Sequence, residues 1–93
     1  MSEAGLIWCP FGATEEAEAA LTRLLDERLV ACGNIVPGIA SHFTWEGERG
    51  EAEESGLLLK TTAALLDAAM ARLETLHPYE TPALVGWTVR ASQ

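Results

Sequence analysis

Two thiols, Cys9 and Cys32, two imidazoles, His42 and His77, and a crowd of carboxylates at residues 46–54 are the groups of widest chemical reach in this 93-residue chain. A thiol and an imidazole become nucleophile and base when a third group orients the imidazole and donors await an oxyanion. Neither is readable around Cys9 and His77, and Cys9 follows Trp8 in an apolar run that reads as a buried strand, so the chain is not read as an enzyme. Two cysteines in a reducing compartment are free thiols or metal ligands rather than a disulfide. Glu46, Glu48, Glu51, Glu53 and Glu54 would gather hard divalent cations only weakly, since oxygen ligands without fixed geometry select little; otherwise they solvate a strand end. Tyr79 and Glu80, with Lys60 and Trp45, combine aromatic walls with fixed charge, the lining of an inter-subunit cleft for a small anion or metabolite. Structural anchoring is the competing use of those four. His42 reads as a satisfied interface residue. Cys32, beside Ala31 and Gly33, reads as part of a tightly packed backbone.

The elements that must position these groups follow from periodicity. Gly5, Leu6, Ile7, Trp8 and Cys9 form a short apolar run without alternation, closed by Pro10, which suits an inner strand covered on both faces. Thr14 is placed to cap a helix with Glu15, Glu16 and Glu18 in its first turn, and Ala17, Leu21, Leu24, Leu25 and Leu29 give it an apolar stripe. Residues 34–45 have a period of two, with Ile35, Ile39, Phe43 and Trp45 on one side and Val36, Ala40, His42 and Thr44 on the other. Pro37-Gly38 should bend that strand. A turn at residues 47–50 returns the chain through residues 51–60, making a hairpin too long for the chain's own helices to cover. Thr61 or Thr62 then caps a second helix with a stripe of Leu65, Leu66, Ala69, Met70, Leu73 and Leu76, ended by Pro78. Two prolines stiffen H-P-Y-E-T-P, and residues 83–89 read as a fourth strand.

The order is β, α, β, β, α, β, so the expected fold is α+β and ferredoxin-like, an antiparallel sheet with two helices on one face and a long β2–β3 hairpin, in one domain spanning residues 1–93. Its other face would carry Trp45 or Trp87 into water, and unpaired edges recruit further strands, which points to an oligomer. A formal net charge of −8 argues against nucleic acid and in favour of cations or basic partners. No apolar run approaches the roughly 20 residues of a spanning helix, and no basic-then-apolar leader opens the chain, so no membrane is expected and the reading is cytoplasmic.

Four pieces, in this order and spacing, carry a family resemblance: E-R-L-V-A-C-G-N-I-V-P-G at 27–38, S-H-F-T-W-E-G at 41–47, L-L-L-K-T-T at 57–62 and H-P-Y-E-T-P at 77–82. With them the sequence resembles CutA, the divalent-cation tolerance proteins. The resemblance implies a ferredoxin-like homotrimer whose hairpins pair with neighbouring subunits, a link to copper and other divalent cations, and no established catalytic activity. It also implies a metal pair. Cys9 and His77 stand where some copper-binding members place a cysteine and a histidine, and thiolate with imidazole suits Cu(I), Cu(II) or Zn(II). Where those members can carry a second histidine this chain has Leu76, so two ligands hold a metal only weakly unless a neighbouring subunit adds another. Phe11-Gly12 follows Pro10 where many members have an acidic residue, so no ligand role passes to that position. The sequence ends at Gln93 soon after Val89, without the aromatic tail that helps close the family's trimer. The alternative class is a PII-like trimeric small-molecule sensor or signalling scaffold, and the lack of a Gly-rich phosphate loop weighs against nucleotide versions of it.

Overall fold

A computed structural model describes residues 2–92. Its elements are β1 (Ser2–Phe11), α1 (Thr14–Asp26), β2 (Cys32–Trp45), β3 (Glu48–Thr62), a 3-10 turn (Ala63–Leu65), α2 (Leu66–Leu76) and β4 (Val85–Ala91). One antiparallel sheet runs in the order β2-β3-β1-β4. This is the expected ferredoxin-like α+β arrangement.

β1 alternates more than its composition suggests. Ile7, Cys9 and Phe11 are fully buried under the helices, while Leu6, Trp8 and Pro10 on the opposite face are half-buried. The run is an inner strand, as expected, but only one of its faces is covered by helices. It also continues through Pro10 to Phe11, because β4 makes its last pair with β1 at Trp8–Val85 and the missing N–H costs no bond on that side.

The core joins these residues and Leu57 and Leu59 of β3 to Ala17, Ala20 and Leu24 of α1 and to Leu66, Ala69 and Leu73 of α2. Leu25, expected in the stripe of α1, is exposed, and Ala20 takes its place against the sheet. Small residues there let the helix approach closely. Thr14 does not cap α1: the cap position is Ala13, and the Thr14 hydroxyl instead pairs with the Ser55 hydroxyl at 2.7 Å. Thr62 caps the 3-10 turn that leads into α2, accepting from the Leu65 N–H at 3.1 Å, while the cap position of α2 itself is Leu65.

The hairpin differs from its expected form in two ways. Its turn is the two-residue loop Glu46 and Gly47, both at positive φ (52° and 80°), between the paired residues Trp45 and Glu48. Two consecutive left-handed residues match the twist of the flanking strands, so the tight loop wins over a wider one ending at Gly50. Gly50 lies within β3, under the ring of Phe43. The second difference is parity. Val36 pairs with Gly56 and Ile39 with Glu54, so β2 spends three residues where β3 spends two, and Gly38 takes φ +69°. The bulge moves Val36 onto the side of Ile39, Phe43 and Trp45, and returns Ile35 to the core side.

Beyond Ser55, where β1 ends, residues 48–54 of β3 have a strand on one side only. The sheet face away from the helices carries Val36 and Phe43, each 45% exposed, Val85 at 52% and Trp87 at 43%.

Trp8 lies across Gly56 as Phe43 lies across Gly50. A methyl at Gly56 would enter the space of a half-buried indole, whereas Phe43 is free to swing away. Urea denaturation should place Gly56→Ala lower in stability by roughly 1–3 kcal/mol, with Gly50→Ala closer to the parent chain.

Candidate functional site

The carboxyl end of β1 and the loop after α2 meet at one buried corner. Pro78 ends α2, leaving His77 extended (φ −74°, ψ 135°) at its C-terminal cap, with its ring turned inward. That ring is 7% exposed and stacks on Phe11 with centroids 4.1 Å apart. Nε2 lies 2.8 Å from the Pro10 carbonyl and Nδ1 accepts the Tyr79 N–H at 3.0 Å. With Nδ1 accepting and Nε2 facing a carbonyl, Nε2 carries the hydrogen. The Cys9 thiol points to the same Pro10 carbonyl at a longer 3.9 Å. Sequence reasoning placed Cys9 and His77 together through family position; the geometry joins them through one carbonyl that neither spacing nor composition reveals.

Neither group is presented as an open ligand. Burial, and then the nearby Glu54 charge, push the Cys9 thiol from its ordinary 9.0 up to about 12. Both nitrogens of His77 are already engaged. A cation at this corner has to displace a proton from Cys9 and the Pro10 carbonyl or the Tyr79 amide from the imidazole. Among the described residues, no three of His, Cys, Asp or Glu converge in a metal-holding group.

Tyr79 continues the corner outward. Its hydroxyl donates to Glu54 at 2.9 Å and lies over Gly12, where a Cβ would crowd it. Partial burial first, then the Glu54 hydrogen bond and charge, raise its pKa from 10.0 to about 12. Tyr79, Glu80 and Thr81 then form, with Trp45 of the hairpin, an open hollow of about 410 Å³. Three of the four residues expected in a cleft therefore come together within one chain. Lys60 does not join them: it pairs with Leu6 and Cys32, far along β3 from the turn.

The five hairpin carboxylates are divided rather than gathered. Strand alternation sends Glu51 and Glu53 to one face and Glu48 and Glu54 to the other, while Glu46 occupies the turn. Glu51 lies 3.3 Å from Nδ1 of His42, both exposed, and Glu54 is held by Tyr79. Cys32, read as packed, is exposed; the tight packing belongs to its neighbour Gly33, against Leu21 and Leu59. Glu27 was not singled out, yet it receives Nε and Nη2 of Arg72 at 2.8 and 2.9 Å and ties α1 to α2. Only the tertiary arrangement places those two residues together.

A ferredoxin-like α+β protein with an oversized β2–β3 hairpin is the class these features define. Residues 5–93 match the family described as CutA1 divalent ion tolerance protein. The divalent-cation tolerance protein CutA of Thermus thermophilus is 42% identical over 85 residues, covering 91% of this chain and 81% of that one. Crystal structures of CutA1 from Ehrlichia chaffeensis (32% identity, TM-score 0.86, covering 100% of this chain and 85% of that chain) and from Oryza sativa (28%, TM-score 0.90, 99% and 84%) have the same fold. The chain belongs to the CutA1 divalent ion tolerance family.

Cys9 and Tyr79 both have raised folded pKa values, so the folded state keeps protons that the unfolded chain releases. Their contribution to stability is fully present below about pH 9 and is lost as pH rises toward about 12. Chelator-treated protein followed by urea denaturation across that window should lose stability, with a shallower loss in Cys9→Ala. In a Cys32→Ser background, a thiol reagent should modify Cys9 only as fast as the corner opens, and at once in denaturant.

Proposed function

We propose that the protein acts in divalent-cation tolerance as a homotrimer, in which each long hairpin adds its unpaired edge to a neighbouring subunit. The observation that carries this reading is the hairpin itself. Residues 48–54 have a strand on one side only, and the sheet face beside them offers Val36, Phe43, Val85 and Trp87 to water. Each of these side chains is already about half buried, so covering the rest is worth roughly 0.7–1.5 kcal/mol apiece, and several together favour association. Free, widely separated cysteines, one of them exposed, suit a reducing cytoplasm, which is part of the same proposal.

Cys9 and His77 are the residues we propose for engaging a thiophilic metal ion, copper or zinc. What supports them is their convergence on the Pro10 carbonyl at 3.9 and 2.8 Å. The site is not preformed, so loading means exchange, and affinity from two ligands stays modest unless a second subunit contributes. The chain carries no role as a catalyst in this reading.

A second reading, a PII-like trimeric small-molecule sensor, is favoured by one observation, the aromatic hollow of Trp45, Tyr79, Glu80 and Thr81.

Light scattering at micromolar concentration should give three times the chain mass; a stable monomer ends the trimeric account. Titration of reduced protein with Cu(I) and Zn(II) should show weaker binding in Cys9→Ala and in His77→Ala, and equal affinity in both removes the pair from consideration. His77→Ala also strips partners from Pro10 and Tyr79, so it should cost roughly 1–3 kcal/mol of stability, and Cys9→Ala gives the cleaner comparison.

A further inference from the structure

We propose that Lys60, on the open sheet face, is where the acidic tip of a second copy's arm lands, its ammonium paired with Glu48 or Glu46 of the partner subunit. The inference rests on the homotrimer reading and adds the contact that sets where each arm comes to rest. Strand alternation buries Leu57, Leu59 and Thr61 under the helices and turns Leu58 and Lys60 to the other face. There Lys60 stands in register with Leu6 of β1 and Cys32 of β2, and Trp87 of β4 stands opposite Leu6. Because β3 is an inner strand, Lys60 lies within the face rather than along its edge. It is the only basic side chain of that face among the described residues, since Arg49 opposite Thr44 and Arg90 opposite Glu3 fall on the helix side of the alternation.

A neighbour that covers Val36, Val85 and Trp87 takes Lys60 out of bulk water with them, and a covered ammonium without a counter-charge opposes the burial around it. Its own chain gives it no ion pair among the described residues. The open side of the arm carries Glu54 and Glu48, with Glu46 in the turn next to Glu48. Glu54 is held by the Tyr79 hydroxyl at 2.9 Å, which leaves the two carboxylates of the tip. Glu48 pairs with Trp45 across the hairpin, so the tip offers an aromatic side chain and negative charge together. That combination matches a lysine, whose methylene stem takes apolar cover while its ammonium takes the charge. Reach is sufficient, because residues 48–54 extend about 23 Å past the end of β1, against about 17 Å along β3 from Ser55 to Lys60. Each tip lands on a different subunit, so the like-charged turns stay apart.

The test is charge reversal and rescue, measured as the midpoint of trimer dissociation by light scattering over a dilution series at low salt. Lys60→Glu should raise that midpoint roughly tenfold or more, because like charges then meet at every contact. Adding Glu48→Lys or Glu46→Lys to Lys60→Glu should recover most of the loss. Glu51→Lys, the same change of net charge on the other face of the arm, should not. If circular dichroism shows Lys60→Glu unfolded, neutral substitutions measure the same coupling: Glu46→Gln with Glu48→Gln should loosen the parent trimer and leave the Lys60→Met trimer unchanged. An unaltered midpoint in Lys60→Glu, no rescue by either tip substitution, equal rescue by Glu51→Lys, or equal loosening of the parent and Lys60→Met trimers overturns the proposal and leaves the trimer standing. A parent chain that is monomeric throughout the series ends both.

Discussion

One extra residue at the Pro37-Gly38 bend decides which way the hairpin faces. Side chains alternate strictly along a strand, so an insertion of one exchanges the two faces from that point on. Before the bend, Ile35 belongs to the core side; after it, Ile39, Phe43 and Trp45 lie on the open side, and Val36 joins them. Without the bulge, either Ile35 would leave the core or Phe43 and Trp45 would turn toward the helix side. Gly38 permits the bend by adopting a φ of +69°, and Pro37 sits on an edge strand, where its missing N–H faces no neighbour within the chain. The apolar open face and the position of Trp45 beside the hollow both depend on this local irregularity.

The corner around Pro10 solves a different problem. A proline near the end of an inner strand leaves a carbonyl beyond the reach of the next strand, and burial makes an unsatisfied carbonyl costly. His77 answers it with Nε2, and its Nδ1 in turn fixes the backbone of Tyr79. The imidazole thus works as a rigid bridge between β1 and the loop after α2, held flat against Phe11. Tyr79 carries the same linkage outward to Glu54. Any ligand that takes hold of His77 therefore loosens the loop that builds the hollow, because the same nitrogen cannot serve both.

The architecture was legible because apolar periodicity and helix stops are local. Element order, the inner position of β1, the Thr62 cap on the turn that leads into α2 and the stop before Pro78 all followed from neighbours within a turn or two. What the sequence obscured depends on register. The bulge parity, the exact pairing of Trp45 with Glu48 across a two-residue turn, and the separation of Lys60 from the cleft all need a strand alignment that composition does not fix. Thr14 misled for a similar reason, since its hydroxyl found Ser55 forty-one positions away rather than its own helix. Cys9 and His77 were paired through the family resemblance alone, and the Pro10 carbonyl that both approach was invisible in the sequence.

The arm also has to avoid indiscriminate pairing. An exposed hydrophobic edge is a template for any strand, and a chain this apolar on one face would aggregate without a check. The check is the distribution of carboxylates: Glu46 and Glu48 at the tip, and Glu51 and Glu53 on the face opposite Phe43 and Trp45. Like charges at every free end oppose open-ended stacking of arms, while the apolar face remains available to an association that keeps those ends apart in water. A closed ring of a few subunits meets both conditions, since it buries the shared face and leaves each acidic turn solvated; an endless sheet meets only the first. Dividing the carboxylates between faces prevents a dense ligand cage at the end of the arm.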